Sequence, residues 1–137
     1  MSIEEKNKLF VLHFYELLNQ KKFDECNELM TPDFVSHRST GDVSREETIS
    51  SNELLFTSFP DFNVTIEHLV AEGDMIAFQE ICRGTHQKEF MGIPPTGKKV
   101  ETINADIWRI ADGKHAEAWP IFDQLSMMQQ LGAIPSQ

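Results

Sequence analysis

The sequence is poor in cysteine, in basic residues and in long apolar runs. Only Cys26 and Cys82 occur among its 137 residues, and they form no C-x-x-C pair. No disulfide framework or cysteine-based metal motif can be read from them, so both are expected to be buried, reduced thiols. Acidic residues outnumber Lys and Arg 22 to 12, for a formal charge of −10. A chain so short of cations is not built to neutralise nucleic-acid phosphates or to lie on an anionic membrane. No apolar run approaches the ~20 residues of a membrane helix. The opening MSIEEKNK lacks the basic start and apolar stretch of a signal peptide. A cytoplasmic protein is the expectation. The five histidines show no H-x-x-x-H or H-x-H spacing, no glycine-rich loop opens a helix after a strand, and no G-x-S-x-G elbow is present. No metal, nucleotide or other cofactor is expected on these grounds.

What is there is an ordinary globular composition, 40% hydrophobic and 25% charged, of a length that suits one domain over 1–137. Ser2 and Glu5 have capping-box spacing, and Ile3, Phe10, Phe14, Leu17 and Leu18 follow with helical periodicity, predicting a helix over 3–20. A second helix is predicted over 22–30, stopped by Pro32, and then a short strand over 33–37. Ser44 and Glu47 repeat the capping spacing and open a third helix, to about Phe56. Beyond Pro60 the period changes to two. Strands are predicted over 62–71, 75–85, 99–110 and 114–122, with an irregular Gly- and Pro-rich connection after His86 and a closing helix over 124–131. Helices first and hairpin-linked strands later imply an α+β domain, with helices packed on one side of a largely antiparallel sheet.

The last hairpin is the most informative segment. Asp112-Gly113 is a strong two-residue turn signal. Counting outward from it pairs Ala111 with Lys114, Trp108 with Glu117, Asp106 with Trp119, Asn104 with Ile121 and Thr102 with Asp123. On this register Thr102, Asn104, Asp106, Trp108, Trp119 and Asp123 share one face, and Ile103, Ala105, Ile107, Ala118, Pro120 and Phe122 the other. A face that mixes indoles with acids and an amide suits a pocket lining better than solvent or core. The opposite, apolar face then needs a cover, and a second subunit is expected there, giving a homodimer through the outer sheet face.

Three segments of the chain, FMGIPPTGKKV, DIWRIADGKHAEAWPIFD and QQLGAIP, resemble the SnoaL-like polyketide cyclase, or ester cyclase, family. The resemblance implies a cone-shaped α+β barrel, shared with ketosteroid isomerases and nuclear-transport-factor-like proteins. A curved sheet wraps around three N-terminal helices in this fold, and a short C-terminal helix follows. It also implies cofactor-free ring closure by intramolecular aldol condensation, with the aspartate that closes W-x-x-x-D, here Asp123, as the acid/base. A histidine assists in those cyclases; the hairpin position that could supply it holds Asp106 or Arg109 here.

From the residues themselves, a carboxylate in a half-apolar pocket has its ionised form disfavoured and can act as an acid or base near neutral pH. Asp123 and Asp106 are candidate catalytic residues, as a pair in which each shifts the other, with His37 and His86 as helpers at the mouth. Asp123 could equally be the N-cap of the last helix, and Asp106 could simply be bonded to the Trp119 indole. Trp119, Trp108, Asn104, Arg83 and Phe14 are the candidate substrate-binding residues. Arg83 could instead pair with Glu80, Glu89 or Glu101, and His13, His68 and His115 read as structural or solvated. The expected ligand is a small apolar carbonyl compound, enolised and then cyclised, isomerised or dehydrated. The alternative is a non-catalytic carrier that uses the same pocket.

Overall fold

The computed structural model describes residues 1–135. Helices α1 (Ile3–Asn19) and α2 (Phe23–Glu28) lead into strands β1 (Met30–Arg38) and β2 (Gly41–Ser44). Helix α3 (Arg45–Ser58) is followed by β3 (Asn63–Glu72), β4 (Met75–Thr85), β5 (Lys99–Ala111), β6 (Lys114–Ala118) and α4 (Gln124–Gln130). The strands form one six-stranded sheet in the order β2-β1-β6-β5-β4-β3. Every neighbouring pair is antiparallel except β1 with β6. The sheet curves around the helices as an open cone, the α+β architecture expected from the sequence.

The local signals explain most of these elements. Ser2 Oγ accepts the Glu5 N–H at 3.1 Å and Ser44 Oγ accepts that of Glu47 at 3.2 Å, so both capping sites start helices. Helix α1 buries Asn7, Val11, Phe14, Tyr15 and Leu18, a stripe with three- and four-residue spacing, while Ile3 stays exposed. These residues join Phe34, Phe56, Phe59, Phe78 and Trp108 in one core on the concave side of the sheet. At Gly84 a Cβ would lie 3.0 Å from Phe59 Cβ, so only glycine lets the end of α3 approach β4 this closely.

Two departures from the expected elements have physical causes. The helix expected over 22–30 stops at Glu28, and β1 runs from Met30 straight through Pro32. Its pairing with β6 shifts register between Met30 and Val35, an irregularity that accommodates a residue with no N–H to give the ladder. β2 was not expected; it is a four-residue return of β1, too short to show alternation.

The third departure bears on the site. The β5–β6 ribbon starts as expected, with Ala111 opposite Lys114. Ile110 then faces His115 while Arg109 faces Glu117, so Ala116 is an extra residue in a bulge. Beyond it the register differs by one from the uninterrupted count: Trp108 faces Ala118, not Glu117, and Ala105 bridges to Ile121. On β5 the faces are as expected, with Thr102, Asn104, Asp106 and Trp108 buried and Ile103 and Ile107 exposed. On the partner strand the faces are exchanged. Ala118 and Pro120 turn inward, and Trp119 and Ile121 turn outward.

Candidate functional site

Side chains from α1, α3, α4 and the concave face of the sheet line a cavity of about 410 Å³. β4 and β5 build its inner end. Their register sets Ile76 opposite Trp108, Phe78 opposite Asp106, Glu80 opposite Asn104 and Cys82 opposite Thr102, all on one face. Trp108 is almost wholly buried. Phe14 meets it edge-on with ring centroids 5.0 Å apart, and His115 stacks on it at 3.4 Å.

Into this aromatic setting the sheet places two buried acids, Glu80 and Asp106. The Tyr15 hydroxyl, from α1, donates to Glu80 Oε1 at 2.6 Å. The Trp108 indole N–H donates to Asp106 Oδ2 at 3.1 Å, while Asp106 Oδ1 is buried without a partner among the described residues. Burial, and then the nearby Glu80 charge, push the Asp106 carboxyl well above its ordinary range. Burial also raises Glu80, against the opposing effect of the Tyr15 hydrogen bond. Tyr15 is raised by burial and by the Glu80 charge, so its hydroxyl keeps its proton. Withdrawal from water holds His115 neutral, well below its usual value, and neither ring nitrogen has a partner among the described residues. The same cause pushes Cys82 up to about 12 and Cys26 to about 11, so neither thiol is a nucleophile at neutral pH.

Exposed apolar groups, among them Leu54, Met91 and Phe122, rim the mouth of the cavity, where Asp123 also lies. Asp123 caps α4, with Oδ1 accepting the Ser126 N–H at 3.0 Å, as the N-cap alternative foresaw. Its own N–H donates to Asn104 Oδ1 at 2.8 Å, and Asn104 Nδ2 donates to Thr102 Oγ1 at 3.3 Å. Asn104 thus ties the mouth to the buried end.

Asp123, Asp106, Asn104, Trp108 and Phe14 all line this cavity; the other candidates do not. Asp106 and Asp123 do not share a setting: Asp106 is buried, with the Glu80 charge acting on it, and Asp123 is exposed. Trp119 lies on the outer face as a result of the bulge, and the indole bonded to Asp106 is that of Trp108. His37 is also outside. It stacks on Trp119 at 5.1 Å, with Nδ1 2.8 Å from Asp42 and Nε2 2.7 Å from Glu117. Its hydrogen bonds to Glu117 and then to Asp42 raise its pKa. His86 is buried against Phe59, and its Nδ1 lies 3.0 Å from Thr96 Oγ1. It fastens the two ends of the 86–98 connection rather than standing at the mouth. Arg83 pairs with Glu101 at 2.9 Å on the exposed surface, one of its alternatives.

Four residues outside the candidate set also line the cavity: Tyr15, Glu80, Arg38, and His115, which reads as structural or solvated from the sequence. Tyr15, Glu80 and Arg38 each had a signal. Glu80 shares the parity of Ile76, Phe78 and Cys82, and an acid inside an apolar alternation is unusual. Arg38 shares that of Phe34 and Ser36. Tyr15 falls on the apolar stripe of α1. No group of three or more His, Cys, Asp or Glu side chains that could hold a metal occurs among the described residues. Nor is any described helix long and apolar enough to cross a membrane.

Fold and site together define an α+β cone with buried acids in an apolar cavity. The sequence profile of the SnoaL-like polyketide cyclases matches residues 8–131, and the chain belongs to that family. Solved structures agree. A SnoaL-like candidate polyketide cyclase from Jannaschia sp. CCS1 is 31% identical, with a TM-score of 0.87, over 98% of this chain and 97% of that one. IdmH from Streptomyces antibioticus, a candidate polyketide cyclase, is 32% identical, with a TM-score of 0.81, over 92% and 98%. AclR from Streptomyces galilaeus, a candidate hydroxylase, is 28% identical, with a TM-score of 0.90, over 98% and 100%. A comparison with curated proteins found no match.

Proposed function

We propose that this chain is a cofactor-independent acid/base enzyme for a small, apolar carbonyl compound, which it enolises and then cyclises, isomerises or dehydrates. The observation that carries this reading is Asp106: a carboxyl sealed in an aromatic cavity, driven toward its protonated form, with Oδ1 uncommitted. A carboxyl that keeps its proton can donate it in a hydrogen bond to a carbonyl oxygen and stabilise the enolate that develops there. Tyr15 and Glu80 form a second proton-bearing unit beside it. Asp123 at the mouth takes the part of the base: one oxygen caps α4, and the other remains to remove a C–H proton and return it. A carrier would have no need of an acid displaced in this way, which is why the catalytic reading is preferred.

The test is hydrogen–deuterium exchange at the activated C–H of 2-tetralone in D2O, followed by NMR. The wild-type protein should accelerate the exchange. Asp123→Asn, which keeps an N-cap side chain, should lower the acceleration by about 10²-fold or more with the fold intact. Undiminished exchange in that variant removes Asp123 from the role.

The same reading places a second copy of the chain over the outer sheet face, where Ile103, Ile107 and Ile121 are 57%, 42% and 67% exposed. It also places the protein in the cytoplasm, where the free thiols Cys26 and Cys82 stay reduced. Light scattering should report twice the 15.7 kDa chain mass. A particle of one chain mass would refute the dimer.

A further inference from the structure

Arg38 is a charge in the cavity wall that the proposed chemistry leaves unused. It ends β1 on the parity of Phe34 and Ser36 and lines the cavity, as do Thr48, Ser51 and Asn52 of α3, the helix that packs on β1. The other arginines each find a carboxylate: Arg45 with Glu46 at 3.6 Å, Arg83 with Glu101 at 2.9 Å, Arg109 with Glu117 at 2.6 Å. Arg38 has no such partner among the described residues, and its Nε is buried and unbonded. The hydroxyl protons of Thr48 and Ser51 are engaged by the carbonyls of Ser44 and Glu47, so the donors left on this wall are the guanidinium, the Ser36 hydroxyl and the Asn52 amide. Glu47 and Asp106 act on it only from beyond ion-pair distance, and an arginine drawn partly out of water with no carboxylate in contact is unfavourable unless something else supplies the counter-charge.

We propose that Arg38 anchors a carboxylate of the ligand, so that the substrate class is an apolar carbonyl compound that also carries a carboxylate. The assignment rests on the cavity being a small-molecule site, as proposed above, and adds the charge of what enters. The planar guanidinium fork matches the two oxygens of a carboxylate. A phosphate dianion suits the corner less well: one cation serves it, and the chain carries a net charge of −10. With the carboxylate at the β1–α3 corner, the apolar body of the ligand packs on Phe14 and Trp108, and its carbonyl is directed toward Asp106.

The experiment uses 1-naphthoate and its uncharged methyl ester as probes, and reads quenching of Trp108 fluorescence in a Trp119→Phe background. The acid should bind at least about tenfold more tightly than the ester. Arg38→Gln should abolish that preference while ester affinity stays within about twofold and the melting temperature is kept, and Arg38→Lys should restore part of it. Equal binding of acid and ester to the wild-type protein overturns the anchor, as does an equal loss of both in Arg38→Gln. Tighter binding of 1-naphthyl phosphate than of 1-naphthoate overturns the choice of carboxylate. Binding of neither naphthoate nor ester overturns the anchor together with the small-molecule reading of the cavity. Loss of deuterium exchange with the acid preference intact strikes only the catalytic reading.

Discussion

Replacing Tyr15 by Phe removes one oxygen and leaves Glu80 with the long contact from the Cys82 thiol, 3.9 Å to Oε2. The phenol–carboxyl contact is 2.6 Å long and buried on both sides, and nothing in the variant can take its place short of water entering the core. The loss depends on whether Glu80 carries a charge. A hydrogen bond to an ionised group is worth about 1.5–3 kcal/mol and a neutral one about 0.5–1.5 kcal/mol. Glu80 is raised above its ordinary 4.5 in the folded protein. Its proton is therefore held more tightly in the native state than in the unfolded chain. The stability this contributes is complete below the unfolded value and is lost as pH rises through the folded one. The Tyr15 bond opposes that rise by favouring the ionised form, so deleting it raises Glu80 further and steepens the loss. Urea unfolding of Tyr15→Phe against wild type should thus show a deficit of about 0.5–1.5 kcal/mol at pH below the ordinary 4.5, where Glu80 is protonated in both states. The deficit should grow toward about 1.5–3 kcal/mol as pH rises through the folded Glu80 value. A deficit that does not change with pH would mean that Glu80 does not titrate in the native state, and the proton-bearing pair at the buried end of the cavity would have to be abandoned.

Two further outcomes follow from the positions of other side chains. His37 is held by Asp42 and Glu117 on the outer surface, so His37→Gln should leave deuterium exchange within about twofold of wild type; a larger loss would place it in the chemistry after all. Gly84→Ala forces a Cβ to 3.0 Å from Phe59 Cβ and 3.2 Å from Phe62 Cδ2, and overpacking of this kind should cost about 1–3 kcal/mol in urea unfolding. An unchanged midpoint would show that α3 can shift freely against β4.

The inner face of β5 was legible because its alternation is unbroken from Val100 to Trp108. Thr102, Asn104, Asp106 and Trp108 could be set on one face by parity alone. The partner strand was not legible, because counting from Asp112-Gly113 assumes an uninterrupted ladder. One extra alanine between His115 and Glu117 leaves no mark in hydrophobicity, yet it moves Trp119 to the other side of the sheet. His37 and Arg38 illustrate a weaker signal. They are adjacent and on opposite faces, and only the parity shared with Phe34 tells which of them turns inward. His86 gave no clue to its burial, since it precedes a connection whose course is fixed by contacts with α3 and not by local pattern. The partner of Asp106 was missed for a different reason: Glu80 and Asp106 lie on neighbouring strands, and their proximity depends on the β4–β5 register across a connection that sequence alone cannot align.

The strand order has a consequence for how the molecule assembles. Among the described residues β6 follows every other strand along the chain, yet it lies between β1 and β5 and is the sole strand that joins β1–β2 to β3–β4–β5. A growing polypeptide can therefore zip its two half-sheets separately but cannot unite them until this short strand emerges. Until then β1 and β5 each present an unprotected edge, open to mispairing with another nascent chain.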